Sequence, residues 1–192
     1  MNTSSSSSSV VARYSGLAML LHWVLAVAIV GTFCLGLYMS DLKLSPQRIQ
    51  LFNWHKWIGV SILTLSALRL LWRWVRRPPA LPARIVQAMP AWQYSAYRAT
   101  HVLLYALFFA VPLLGWAHSN AAGFPIVWFG KIPLPDLVGK YKALAEVLGE
   151  AHEVAAYVLA ALVVLHAAAA LKHQWLDRDG LLLRMMPGGR KA

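Results

Sequence analysis

The stretch AHEVAAYVLAALVVLHAAAAL, residues 151–171, decides the fold. It is long and apolar enough to cross about 30 Å of hydrocarbon as one helix. Its only formal charge is Glu153, and it carries two histidines, His152 and His166. Fourteen positions at about 100° each fall only about 40° short of four full turns, so both imidazoles leave the helix on nearly the same face. The rise between them is about 21 Å. One helix therefore offers two imidazoles at two depths.

Working outward, three further stretches have spanning length: residues 17–38, 54–75 and 99–117. The second holds His55 and Lys56 at its start and Arg69 and Arg73 near its end; Pro112 predicts a kink in the third. Residues 40–53, 76–98 and 119–150 are expected to connect the spans, with Pro78, Pro79 and Pro82 stopping the second sharply and a helix resuming from Lys140 onward. No stretch alternates with period two over ten residues, which argues against a membrane barrel. The expected fold is all-α: a transmembrane four-helix bundle over residues 13–187. Residues 1–12, with serine at every position from 4 to 9, read as a disordered leader, and residues 188–192 as a basic tail. The leader lacks the positive charge and the following cleavage site of a secretory signal.

Composition agrees. Of 192 residues, 59% are hydrophobic and 13% charged, where soluble domains carry about a quarter charged. Nine Trp and seven Tyr suit the membrane–water boundary. The net charge of +11 lies in loops beside apolar runs, so it reads as lipid contact and topology rather than nucleic-acid binding. Twelve of the eighteen Lys and Arg residues fall on the side of the two termini, against only Asp177 and Asp179. By the positive-inside rule both termini are expected in the cytoplasm of a bacterial inner membrane.

Ionisable residues inside spans are costly and usually functional. By depth, His55 and His152 share the outer level, and His22 and His166 the inner one. Two flat macrocycles gripped from both sides fit that pattern, since haem iron takes axial imidazole and bundle cores house such cofactors. The small run Ala167 to Ala170, with Gly31, Gly36 and Gly59, leaves space for them. The C-x-x-C-H of covalent haem attachment is absent, so the haem would be of the b type. Ligands about 21 Å apart cannot share one zinc. His101 and His118 read as interfacial. His173, seven residues beyond His166 and beside Lys172, suits a quinone headgroup.

These residues resemble the bacterial cytochrome b561 family, and within it the members that oxidise superoxide. The matching pieces are Arg13-Tyr14-Ser15 with Leu21-His22-Trp23; His55-Lys56-Trp57-Ile58-Gly59 followed by Arg69-Leu70; Pro78-Pro79; His101 with Leu104-Tyr105 and Pro112-Leu113-Leu114-Gly115; and His152-Glu153 running to Leu165-His166 and its alanines, then His173 and Leu183-Arg184-Met185-Met186-Pro187. The resemblance covers nearly the whole chain after Val11. It implies two haems b, ligated by His22 with His166 and by His55 with His152. It also implies oxidation of superoxide to dioxygen at the periplasmic face, with electrons passed to ubiquinone.

The layout suits that chemistry, because two carriers in series relay single electrons to a two-electron acceptor. Lys56, next to His55, is the expected catalytic residue, attracting the superoxide anion. Arg48, Lys140 and Lys142 could add to that field, and Glu150 and Glu153 oppose it. At the inner side His173 and Lys172 are the expected quinone contacts, and Arg73 or Arg76 would meet haem propionates or lipid. Two rivals remain: a haem-bearing subunit fed by a redox partner protein, and a non-redox membrane protein with structural or metal-binding histidines.

Overall fold

The computed structural model describes residues 12–187. The expected leader up to residue 11 and the tail from 188 lie outside the described residues. Four helices are long and apolar enough to span a membrane. They are α1 (Gly16–Ser40), α2 (Pro46–Val75), α4 (Ala91–Ala121) and α5 (Lys142–Lys172), with a short α3 (Ala83–Ala88) before α4.

Three of them start a turn or more earlier than hydropathy alone indicates. Ser45 caps α2, its Oγ accepting from Arg48 N at 3.2 Å, and Pro46 occupies the first helical position. α4 starts after Pro90. α5 starts at Lys142 and runs straight into the span, as the helical reading from Lys140 expects. The extra turns carry mixed polar residues that an apolar window discounts but an interfacial helix accommodates.

The apolar surface is turned outward. Val27, Val102 and Val164 are about two-thirds or more exposed (72%, 67% and 68%) on their helices, as lipid-facing positions are. The buried core is small: Leu25, Ile29, Ile62, Leu104 and Leu159, flanked by Leu65 and Phe108. By sequence it lies between the two histidine depths, since Leu159 sits midway from His152 to His166. Packing is strongest for α4 against α5, then α1 against α2 and α2 against α4, while α1 and α5 touch in few places.

One end of the bundle, here the hairpin end, is covered by the segment between α4 and α5. It holds a two-residue hairpin, β1 (Val127–Trp128) and β2 (Ile132–Pro133). Two tryptophans stitch it to α2. Trp57 Nε1 donates to Val127 O at 2.7 Å, and Trp128 Nε1 donates back to Trp57 O at 3.2 Å. The opposite, terminal end is held by Arg184, which is 3% exposed. Its guanidinium donates to the carbonyls of Ala12, Pro79 and Ala80, each at 2.8 Å. Arg13 reaches Met186 O, and Trp23 Nε1 donates to Met185 O at 2.8 Å. One buried arginine thus joins the start of the described chain, the loop after α2 and the closing turn (Leu182–Arg184).

Candidate functional site

α5 presents both of its histidines toward helices it packs against weakly. At the hairpin end His152 faces His55 of α2, with ring centroids 6.1 Å apart and planes at 84°. At the terminal end His166 faces His22 of α1, at 6.2 Å and 74°. The residues paired by depth in the sequence are paired in space.

The separations can be tested against a metal between the rings. An imidazole nitrogen binds a metal at about 2.0–2.1 Å. Two such bonds plus two ring radii give about 6.3 Å between centroids. Both couples have that spacing, whereas stacked or directly hydrogen-bonded rings would be closer. Small residues make the room. A Cβ on Gly36 would lie 3.2 Å from His55 Cε1, and one on Gly115 only 2.9 Å from His152 Cε1. At Gly31 and Gly59 it would meet open space. The donor set and the spacing fit haem iron held from both faces by side chains alone.

Hydrogen bonds orient the rings. His152 Nδ1 donates to Val111 O at 2.9 Å, which leaves Nε2 without that bond and available to a ligand. Val111 directly precedes Pro112, the proline inside α4. At the terminal level a third imidazole appears. His101 lies 5.2 Å from His166 at 88°, its Nδ1 donating to Tyr97 O at 2.8 Å. His101, read as interfacial in the sequence, lies ten residues into α4, which begins at Ala91, and meets the His166 ring. Beside this level, Arg69 Nε donates to Tyr105 OH at 3.2 Å and the Arg73 guanidinium lies over the Tyr105 ring at 5.7 Å.

His118 is the other residue that sequence reading left at the boundary. Its Nδ1 donates to Ala145 O at 2.8 Å, and its ring lies against Gly149. The signal that could have found it is a repeat: Gly115-x-x-His118 on α4 and Gly149-x-x-His152 on α5.

Of the expected substrate residues, Lys56 is half-buried beside His55, with no carboxylate partner among the described residues. His173 follows the last α-helical residue and opens a π-helical turn (His173–Asp177). Such wider turns recur at functional sites. Its Nδ1 lies 2.6 Å from Asp179 Oδ2 and 3.1 Å from Asp177 Oδ2. Lys172 Nζ is paired with the Asp177 carboxylate at 2.6 Å. His173, Asp177 and Asp179 have the donors for a small cation, but the Lys172 ammonium already occupies the carboxylate of Asp177.

A membrane bundle with opposed imidazole couples at two depths, and no covalent attachment motif, defines a membrane haem protein of the b type. The description "Prokaryotic cytochrome b561" matches residues 13–188. The chain belongs to that family, membrane electron-transfer proteins that bind b-type haem. Among curated relatives, Cytochrome b561 homolog 2 of Escherichia coli (strain K12) is 34% identical over 182 residues, 91% of either chain. Cytochrome b561 homolog 1 of the same organism is 31% identical over 178 residues, 91% of this chain and 97% of the relative. A protein of Yersinia pestis named Probable superoxide oxidase CybB is 30% identical over 185 residues, 93% of this chain and 98% of the relative. The four apolar helices and the family make this a multi-pass membrane protein.

Proposed function

We propose that this chain is a superoxide:ubiquinone oxidoreductase of the bacterial inner membrane. The observation that carries the reading is the pair of imidazole couples at 6.1 and 6.2 Å, one at each depth. In it His55 with His152 would hold one haem b and His22 with His166 a second. Both termini lie in the cytoplasm, so the hairpin end faces the periplasm. Bound haem supplies a one-electron carrier at each level.

The protein's own groups do the rest. Lys56, half-buried beside His55, contributes positive field where an anion must approach. Two superoxide ions each give up one electron and leave as dioxygen; one ubiquinone takes both electrons and two protons. His173 is the group placed to hand over a proton at the terminal end. Its Nδ1 is engaged by Asp179 and Asp177, so Nε2 is left to meet a quinone oxygen. Lys172 acts through Asp177, fixing one of the carboxylates on which His173 leans. Arg69 and Arg73 suit the propionates at the inner level.

The test is stopped-flow mixing of the purified, haem-loaded protein with superoxide, with and without ubiquinone. The reading expects haem reduction at a rate near diffusional encounter, then reoxidation only when quinone is present. Slow reduction by superoxide, together with fast reduction by a co-purifying soluble redox protein, would replace it with the partner-fed subunit.

A further inference from the structure

The segment between α4 and α5 folds back along α2. His55 is the tenth residue of α2, so about 14 Å of that helix projects beyond the His55–His152 couple toward the hairpin end. The hairpin is bonded to α2 at the depth of the couple and past it. Trp57, two residues after His55, donates to Val127 O at 2.7 Å, and its carbonyl accepts from Trp128 Nε1 at 3.2 Å. The Trp128 indole also reaches Ser61 Oγ at 3.3 Å. Ser61 lies six residues past His55, about 9 Å further along the helix. The Phe129 and Trp57 ring centroids are 5.7 Å apart, and a Cβ on Gly130 would lie 3.9 Å from the Trp57 ring.

Its side chains and backbone suit that depth. Phe129 and Ile132 are more than half exposed, and Val127 is exposed beside them. In water they would form an apolar patch. Between Ala122 and Pro135 the one charged residue is Lys131, whose long stem lets an ammonium reach headgroups from an apolar setting. The segment's carboxylate, Asp136, is tied to Asn120 near the end of α4. Backbone donors are few, because Pro125, Pro133 and Pro135 have none. Others are engaged: Gly130 N donates to Val127 O at 3.0 Å, Lys131 N to Trp128 O at 3.1 Å and Leu134 N to Ile126 O at 2.9 Å. A short demand for water is what an element in contact with lipid needs, since backbone groups there must be satisfied within the protein. The two stitched indoles belong to the residue type that gathers at the membrane–water boundary.

We infer that the hairpin, residues 127–133, is an interfacial membrane element: Val127, Phe129 and Ile132 rest in the boundary between headgroups and acyl chains, in the leaflet at the hairpin end. The partner of this surface is phospholipid, because the Trp57 and Ser61 bonds hold it beside a spanning helix at a depth the bilayer covers. The inference uses the membrane assignment and is independent of which reductant feeds the haems.

The test reads collisions of nitroxide labels in the haem-loaded protein, reconstituted in phosphatidylcholine vesicles with Cys34→Ser as background. Labels are placed through Phe129→Cys and Ile132→Cys. Val27→Cys on the exposed face of the α1 span and Glu146→Cys near the start of α5 are the lipid and water references. Dissolved oxygen concentrates in acyl chains, whereas a polar nickel chelate stays in water. The inference expects the oxygen-to-nickel collision ratio at both hairpin positions to exceed that at Glu146 by about fivefold or more, approaching that at Val27. A ratio equal to that at Glu146 puts the hairpin in water and overturns the inference. Weak collision with both reagents overturns it as well, because the surface is then covered by protein, a second copy or a partner. Haem absorbance equal to that of the unlabelled protein shows that the bundle is intact, and Val127→Cys replaces either position that loses it.

Discussion

The two levels of the bundle hold their histidines by different means. At the hairpin end the rings lie against glycines, and His152 and His118 each bond a backbone carbonyl of the facing helix. At the terminal end side chains meet side chains, His101 against His166 and Arg69 on Tyr105, and a buried Arg184 fastens three backbone segments. The first arrangement depends on close backbone approach, the second on a polar network. A backbone clamp should fail sharply when one methyl is added; a network should fail when its central donor is removed.

Replacing one of the proposed haem-holding histidines separates the levels most strongly. His152→Ala should remove the haem at the hairpin end and His166→Ala the one at the terminal end, each leaving one haem per chain by pyridine haemochromogen assay. Loss of both haems from either variant would mean the levels are not independent. Next comes the clasp. Arg184→Ala leaves three carbonyls without a charged donor, at a cost of about 3 kcal/mol or more. It should lower the melting temperature and loosen the terminal-level haem first.

The clamp is tested by Gly115→Ala. Its Cβ would sit 2.9 Å from the His152 ring, and such overpacking costs about 1–3 kcal/mol. It should perturb the hairpin-level haem spectrum and spare the terminal one, whereas Gly149→Ala, crowding His118 instead, should leave both spectra in place. The smallest effect compares two caps. Ser15 Oγ accepts from Ala18 N and from Trp72 Nε1, while Ser45 Oγ accepts from Arg48 N alone. Ser45→Ala should cost about 1 kcal/mol, and Ser15→Ala more, read by thermal melts in detergent.

Most of the architecture was legible in the sequence because lipid leaves one solution for long apolar runs. The phase of His152 and His166 needed nothing beyond helical geometry. Where the helices begin was less legible, because interfacial turns such as residues 46–53 mix polar and apolar side chains and a cap, not hydropathy, sets the start. The later start read for α4 put His101 in its first turn, whereas it lies ten residues in and against His166. His118 was missed for another reason: its partners are a backbone carbonyl and a glycine on a different helix, so the Gly-x-x-His repeat shared by the two helices is its one trace in the sequence. Lys172 was read as a quinone contact without its tie to Asp177, which depends on the π-helical turn replacing a continued α-helix.

The ring planes give the most direct test. Axial imidazoles near perpendicular leave the iron's two π-type d orbitals almost equal in energy, which produces a highly anisotropic low-spin signal in electron paramagnetic resonance of the oxidised protein. On the proposed reading of one haem b between each couple, interplanar angles of 84° and 74° predict that signal from two haems per chain. A high-spin spectrum, or a single haem per chain, would contradict the opposed couples directly.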